Sequence, residues 1–111
     1  MSSRSTIFVV DDDPGILDSL AWLLGSVRLE VETYDSGQRF LQALDRDRPG
    51  CLLLDLRMPG MGGLEVQQTL TARGITMPVI FVTGHGDVPG AVRALKAGAF
   101  DFFEKPFNDH D

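Results

Sequence analysis

Short apolar runs alternate with stretches of helical periodicity along the whole chain. Residues 6–10 (TIFVV) are apolar and β-branched and end at three aspartates, the pattern of a strand buried on both faces of a parallel sheet. Ile16, Leu17, Leu20, Leu23 and Leu24 then recur at helical spacing, with Pro14 in the first turn. One of the preceding aspartates can cap this helix, and Asp13 is the best placed. Residues 29–34 (LEVETY) alternate more, which predicts a second strand nearer an edge. Residues 36–47 predict a second helix with Phe40, Leu41 and Leu44 inward, stopped by Pro49-Gly50. The third strand is expected at 51–54 (CLLL), the third helix at 63–74 ending at Gly74, and the fourth strand at 77–82 (MPVIFV). Residues 84–99 predict a loop and a fourth helix, with Asp87 as its cap and Gly98 as its stop, before a fifth strand at 99–103 (AFDFF).

This β-α alternation with short connections predicts an α/β fold, a parallel sheet with helices on both faces. No repeat, linker or low-complexity tract interrupts it, so residues 1–111 read as one domain. A parallel sheet needs both faces covered, and no helix follows the fifth strand here. The expectation is therefore a fragment of a longer protein whose next element is another helix.

Composition narrows the function. The 111 residues, 43% hydrophobic, suit one small globular core, and no apolar run is long enough to span a membrane. The start, Met-Ser-Ser-Arg-Ser-Thr, lacks the features of a secretory signal, and Cys51 is the only cysteine, so a reducing cytoplasm is expected. Cys51 itself reads as inert packing. A net charge of −6 argues against this domain gripping a phosphate backbone, though not against a DNA-binding domain elsewhere in the same protein.

In an open α/β sheet, sites form beyond the carboxyl ends of the strands. Asp11, Asp12 and Asp13 follow the first strand, Asp55 the third, Thr83 the fourth and Lys105 the fifth. Distant segments thereby converge as carboxylates, a hydroxyl and one ammonium. Carboxylates so close resist ionising together, and a hard divalent cation such as Mg²⁺, which takes oxygen ligands and often shares a phosphate, resolves the conflict. An ionised Asp55 can then attack phosphorus to give an acyl phosphate, while Lys105 and Thr83 hold the phosphoryl oxygens. Three caps for one helix would be redundant, so capping does not explain all three aspartates. His85 has no second histidine or cysteine at metal-ligand spacing and reads as a loop residue.

At this point the motifs FVVDDD, LLLDLRMPGMGG, VTGHGD and FFEKPF together resemble the receiver domain of two-component response regulators, most closely the FixJ type. The resemblance implies a flavodoxin-like (CheY-like) doubly wound sheet of five parallel strands in the order 2-1-3-4-5. It implies Asp55 as phosphoacceptor, Asp11 and Asp12 as the acidic pair at Mg²⁺ with Asp12 the direct ligand, and a further ligand from the backbone carbonyl of Arg57. It implies Thr83 as switch hydroxyl, Lys105 as phosphate-binding lysine and Phe102 as switch aromatic, with Arg57 and His85 tuning the phosphoryl lifetime. Phe102 can also be plain core in one state.

The donor would be a phosphohistidine on a sensor histidine kinase or a small acyl phosphate. The output would be a face of helix four and strand five that pairs two copies, and a downstream helix-turn-helix that binds DNA. The family's fifth helix is the departure. Its absence should expose apolar surface beside the first helix, including Trp22, and that surface can also drive dimerisation. Three other readings compete. A Mg²⁺-dependent phosphatase would need a general acid near Asp55, and a flavin domain would need a hydroxyl- and glycine-rich phosphate loop where the three aspartates sit. A degenerate or truncated receiver that only binds partners would not need the complete residue set.

Overall fold

A computed structural model describes residues 5–45, 48–84 and 87–105. Its elements are β1 (Thr6–Val10), α1 (Pro14–Ser26), β2 (Glu30–Tyr34), α2 (Gly37–Ala43), β3 (Gly50–Asp55), α3 (Gly63–Ala72), β4 (Val79–Thr83), α4 (Val88–Lys96) and β5 (Asp101–Glu104). The strands form one parallel sheet, as the β-α pattern predicts, in the order β2-β1-β3-β4-β5 that the family resemblance implies. β2, the more polar strand, lies at an edge.

The sheet's faces follow from the period of two. Phe8, Val10, Leu52, Leu54, Val79 and Phe81 form one buried face, packed by Phe40 and Leu41 of α2, Val66 and Leu70 of α3 and Ala94 of α4. Phe40 meets the rings of Phe8 and Tyr34, each at 5.6 Å between centroids. Val9 and Leu17 are buried outside that cluster, where α1 lies against β1 and β2. This second layer is thinner: Ile7, Leu53, Ile80 and Val82 are only half-buried, and α1 leaves Trp22 75% exposed, with Leu23 and Val27 also open.

Local chemistry sets the helix ends. Asp13 caps α1 by accepting from the Gly15 amide at 2.9 Å, and Ser36 caps α2 from the Arg39 amide at 3.1 Å. α3 and α4 both end in Schellman turns: Ile75 N–H reaches Leu70 O, Ala99 N–H reaches Ala94 O, and Gly74 and Gly98 take positive φ. α1 ends in the same turn with Arg28 at φ 68°, a conformation glycine adopts more readily.

α2 is shorter than 36–47 predicts: Leu44 is already extended, and part of the expected tail, 46–47, lies outside the described residues. The early stop lets Arg48 turn back onto the sheet. Its guanidinium donates to both carboxylate oxygens of Glu32 at 3.0 and 2.7 Å and to Thr6 Oγ1 at 3.2 Å, and lies 5.0 Å over the Phe8 ring. Tyr34 donates a further bond to Glu32 at 2.8 Å, and the Arg48 bonds hold the Glu32 carboxyl below its usual range. This clamp fixes the entry into β3, the strand that carries Asp55. Arg48→Ala is expected to lower unfolding free energy by about 1–2 kcal/mol, discounted for partial exposure, as urea titration would measure. The loss should shrink as pH falls through the folded-state pKa of Glu32, where the carboxylate partner is neutralised.

Candidate phosphoacceptor site

The strand register brings the sequence-predicted residues to one end of the sheet. Val10 pairs with Leu54, so Asp11 and Asp55 stand side by side. Asp55 pairs with Val82, Thr83 with Glu104, and the Lys105 amide donates to Thr83 O at 2.8 Å. α3 begins hard against the end of β3: a Cβ on Gly63 would lie 2.5 Å from the Asp55 carbonyl oxygen, so only glycine fits there. Glu65 holds the approach by accepting from the Gly62 amide at 3.1 Å.

Asp11 and Asp55 are buried, at 2% and 3% exposure, and Asp12 is exposed. The Lys105 ammonium bridges the buried pair, 3.0 Å from Asp11 Oδ2 and 3.4 Å from Asp55 Oδ2. The other oxygens accept backbone amides, Asp11 Oδ1 from Asp13 at 2.9 Å and Asp55 Oδ1 from Arg57 at 3.2 Å. One lysine does not balance the carboxylates. Burial, and then the charge of Asp11, push the Asp55 carboxyl up to about 7 against the pull of Lys105. Burial alone would depress the Lys105 ammonium, but Asp11 and Asp55 outweigh it and hold its pKa above the ordinary value. The two directions agree, because a cation between two carboxylates keeps its proton and one carboxylate is in excess. Each of Asp11, Asp12 and Asp55 also offers an oxygen within 4.8 Å of the others, a donor set suited to a hard divalent cation.

Asp12, Asp13, Asp55, Arg57, Gly84, Asp87 and Lys105 line an open cleft over this end of the sheet. Thr83 is not among them. It is 1% exposed, and its hydroxyl donates to the Gly84 carbonyl at 3.2 Å. Phe102, half-buried, packs against the main core. His85 lies outside the described residues. Sequence reasoning places Asp87 at the start of α4, where it is, but as a capping residue. Its carboxylate makes no cap bond and instead takes the Arg57 guanidinium in a fork, Nε to Oδ2 at 2.7 Å and Nη2 to Oδ1 at 3.0 Å. The partners are 30 residues apart, and no local signal connects them. Among the described residues no helix is long and apolar enough to cross a membrane.

Residues 7–111 match the response regulator receiver domain family. The chain is 49% identical over its whole length to the response regulator protein TodT of Pseudomonas putida, covering 49% of that protein. It is 53% identical to the transcriptional regulatory protein FixJ of Azorhizobium caulinodans, with 98% of this chain and 52% of that one aligned. The chain thus spans about half the length of the curated relatives it matches. Among solved structures, the response regulator StyR superposes with a TM-score of 0.88 at 48% identity, covering 96% of this chain and 54% of that one. The N-terminal part of FixJ gives a TM-score of 0.88 at 44% identity over 97% and 86% of the two chains. With the sheet order, the acidic cluster and the bridging lysine, these matches place the chain in the response-regulator receiver family, as a receiver domain of two-component signalling.

Proposed function

We propose that this chain is a phosphorylation-driven switch in which Asp55 is the phosphoacceptor. The observation that carries the reading is the buried Asp11–Lys105–Asp55 arrangement beside Asp12, which concentrates anion-binding and cation-binding groups on one reactive carboxylate. One oxygen of Asp55 would attack the phosphorus of a phosphohistidine on a sensor kinase, or of a small acyl phosphate. A P–O bond forms as the P–N bond, or the donor's P–O bond, breaks. The leaving imidazole takes a proton from solvent, or the carboxylate leaves as the anion. Lys105 then holds a phosphoryl oxygen, and Thr83 turns its hydroxyl from Gly84 toward the group. Phe102 moves into the space Thr83 leaves.

Asp11, Asp12, Asp55 and the Arg57 backbone carbonyl would hold Mg²⁺, which when bound keeps Asp55 ionised and offsets charge on the transferring oxygens. Arg57, with His85, would set how long the acyl phosphate lasts. The domain works in this reading in the cytoplasm, with a DNA-binding output domain in the same protein, in keeping with relatives named as transcriptional regulators. Exposed Val92 and Leu95 of α4 and Phe103 of β5 offer the face through which two copies would pair. Trp22 and the half-buried residues beside α1 are what a fifth helix would cover.

The test is intact mass after incubation with Mg²⁺ and acetyl phosphate. A gain of one phosphoryl group is expected, lost with chelator and with Asp55→Ala. No gain in a folded chain would overturn the phosphoacceptor reading and leave a binding module.

A further inference from the structure

Asp87 occupies the N-cap position of α4 without capping it. The caps that do bond, Asp13 and Ser36, have extended backbones with ψ of 111° and 154°, whereas Asp87 has ψ 50°. As in α1 and α2, the first turn of α4 carries no acidic residue, so its first amides depend on the cap. The carboxylate is close: a Cβ on Gly90 would lie 2.8 and 3.0 Å from its two oxygens. The Gly90 amide lies near enough to help keep Asp87 ionised, after the larger effect of Arg57, but the two do not reach the geometry of a cap hydrogen bond. The Arg57 fork holds both oxygens instead.

Arg57 is the residue whose backbone amide donates to Asp55, and its side chain is 70% exposed while that of Asp87 is 13% exposed. Both line the cleft that holds Asp55 and Lys105. A phosphoryl group on Asp55 would therefore bring a new dianion into the cleft. It competes for the guanidinium, which binds phosphate oxygens in the same bidentate fashion, and it repels Asp87. An ion pair with one largely exposed partner is weak enough to exchange.

We propose that Arg57 and Asp87 form an exchange latch. In the unphosphorylated chain Arg57 keeps Asp87 from completing the cap on the Gly90 amide, and a phosphoryl group on Asp55 draws Arg57 away and releases Asp87 to cap α4. Asp87 is thus a positioning residue that ties the occupancy of Asp55 to the first turn of the helix bearing the exposed Val92 and Leu95. This rests on the phosphoacceptor reading, and it adds a route from the cleft to α4 separate from Thr83 and Phe102.

The experiment is amide hydrogen exchange of Gly90, with the Arg57 Nε–H resonance followed by NMR, before and after Mg²⁺ and beryllofluoride as phosphoryl mimic. Loading should slow Gly90 exchange about fivefold, the size expected for one N-cap hydrogen bond, and shift the Arg57 resonance. Asp87→Asn keeps a capping oxygen but loses the ion pair, so Gly90 should exchange slowly even when unloaded. Arg57→Gln, which opens the fork from the other side, should do the same. Asp87→Ala should leave Gly90 fast in both states. Unchanged Gly90 exchange on loading, or an unloaded Asp87→Asn indistinguishable from wild type, overturns the latch while acetyl phosphate still adds mass to Asp55. No mass gain overturns the phosphoacceptor reading and the latch with it.

Discussion

Asp55→Asn is expected to stabilise the fold at pH 8 while ending phosphoryl uptake. Burial and the neighbouring Asp11 raise the Asp55 carboxyl from 3.8 to about 7, so the folded chain holds this proton more tightly than the unfolded chain does. Stability contributed by this group therefore falls as pH rises from about 4 to about 7 and is flat above, the reverse of the usual carboxylate behaviour. At 1.36 kcal/mol per pKa unit, removing the ionisable group should add on the order of 4 kcal/mol at pH 8. Glu32 and Asp87 have depressed pKa values and push the opposite way as pH falls, so the informative quantity is wild type minus Asp55→Asn. Urea unfolding in chelator at pH 5 and pH 8 measures it. The difference should be less than half as large at pH 5 as at pH 8, and Mg²⁺ should stabilise wild type at pH 8 far more than the variant. A variant no more stable than wild type at pH 8 would mean that Asp55 ionises without strain, and the proposed link between site and stability would fail.

The same buried carboxylate marks what could be read without coordinates. An apolar run ending in an acid is conspicuous, because chains bury such groups only at a cost. The order of β and α segments with short connections then fixes which ends converge, and Asp11, Asp55 and Lys105 stand together accordingly. The helix caps were legible where the cap serves only its own helix, as at Asp13. Asp87 looked alike in sequence, yet its carboxylate is claimed by an arginine from another loop. Arg48 on Glu32, 16 residues away, is the same kind of pairing. Several arginines and many acids are compatible in charge, and only the packed chain selects among them. Arg28 shows a further limit: α1 ends at a residue with no stop signal, its positive φ closed by the turn's own bonds, Arg28 N–H to Gly25 O and Leu29 N–H to Leu24 O. Thr83 was correctly placed at a strand end, but its hydroxyl direction belongs to the conformational state rather than to the sequence.

Lys105→Ala should produce the largest loss of stability at this site. Lys105 is the ammonium seated between Asp11 and Asp55, with its own side chain 14% exposed. Without it, two buried carboxylates face each other, held among the described residues by backbone amides from Asp13 and Arg57. Stranding a buried charge costs about 3–5 kcal/mol, and slight solvent access places the expected loss near the lower value at pH 8. Two controls separate this cause from lost packing. At pH 5 Asp55 is largely protonated in the folded chain, so the penalty should shrink by about half. The double variant with Asp55→Asn should lose much less than Lys105→Ala alone, a coupling that urea unfolding of the four chains would reveal. Added salt should change little, since the charges lie beneath the surface. Phosphoryl uptake from acetyl phosphate should fall by at least about an order of magnitude, because a fixed positive charge on the transferring oxygens is lost. A stability loss equal at both pH values and unrelieved by Asp55→Asn would make Lys105 a packing residue whose charge is incidental. In that case burial and Asp11 would act on the Asp55 carboxyl without an effective opposing pull from Lys105.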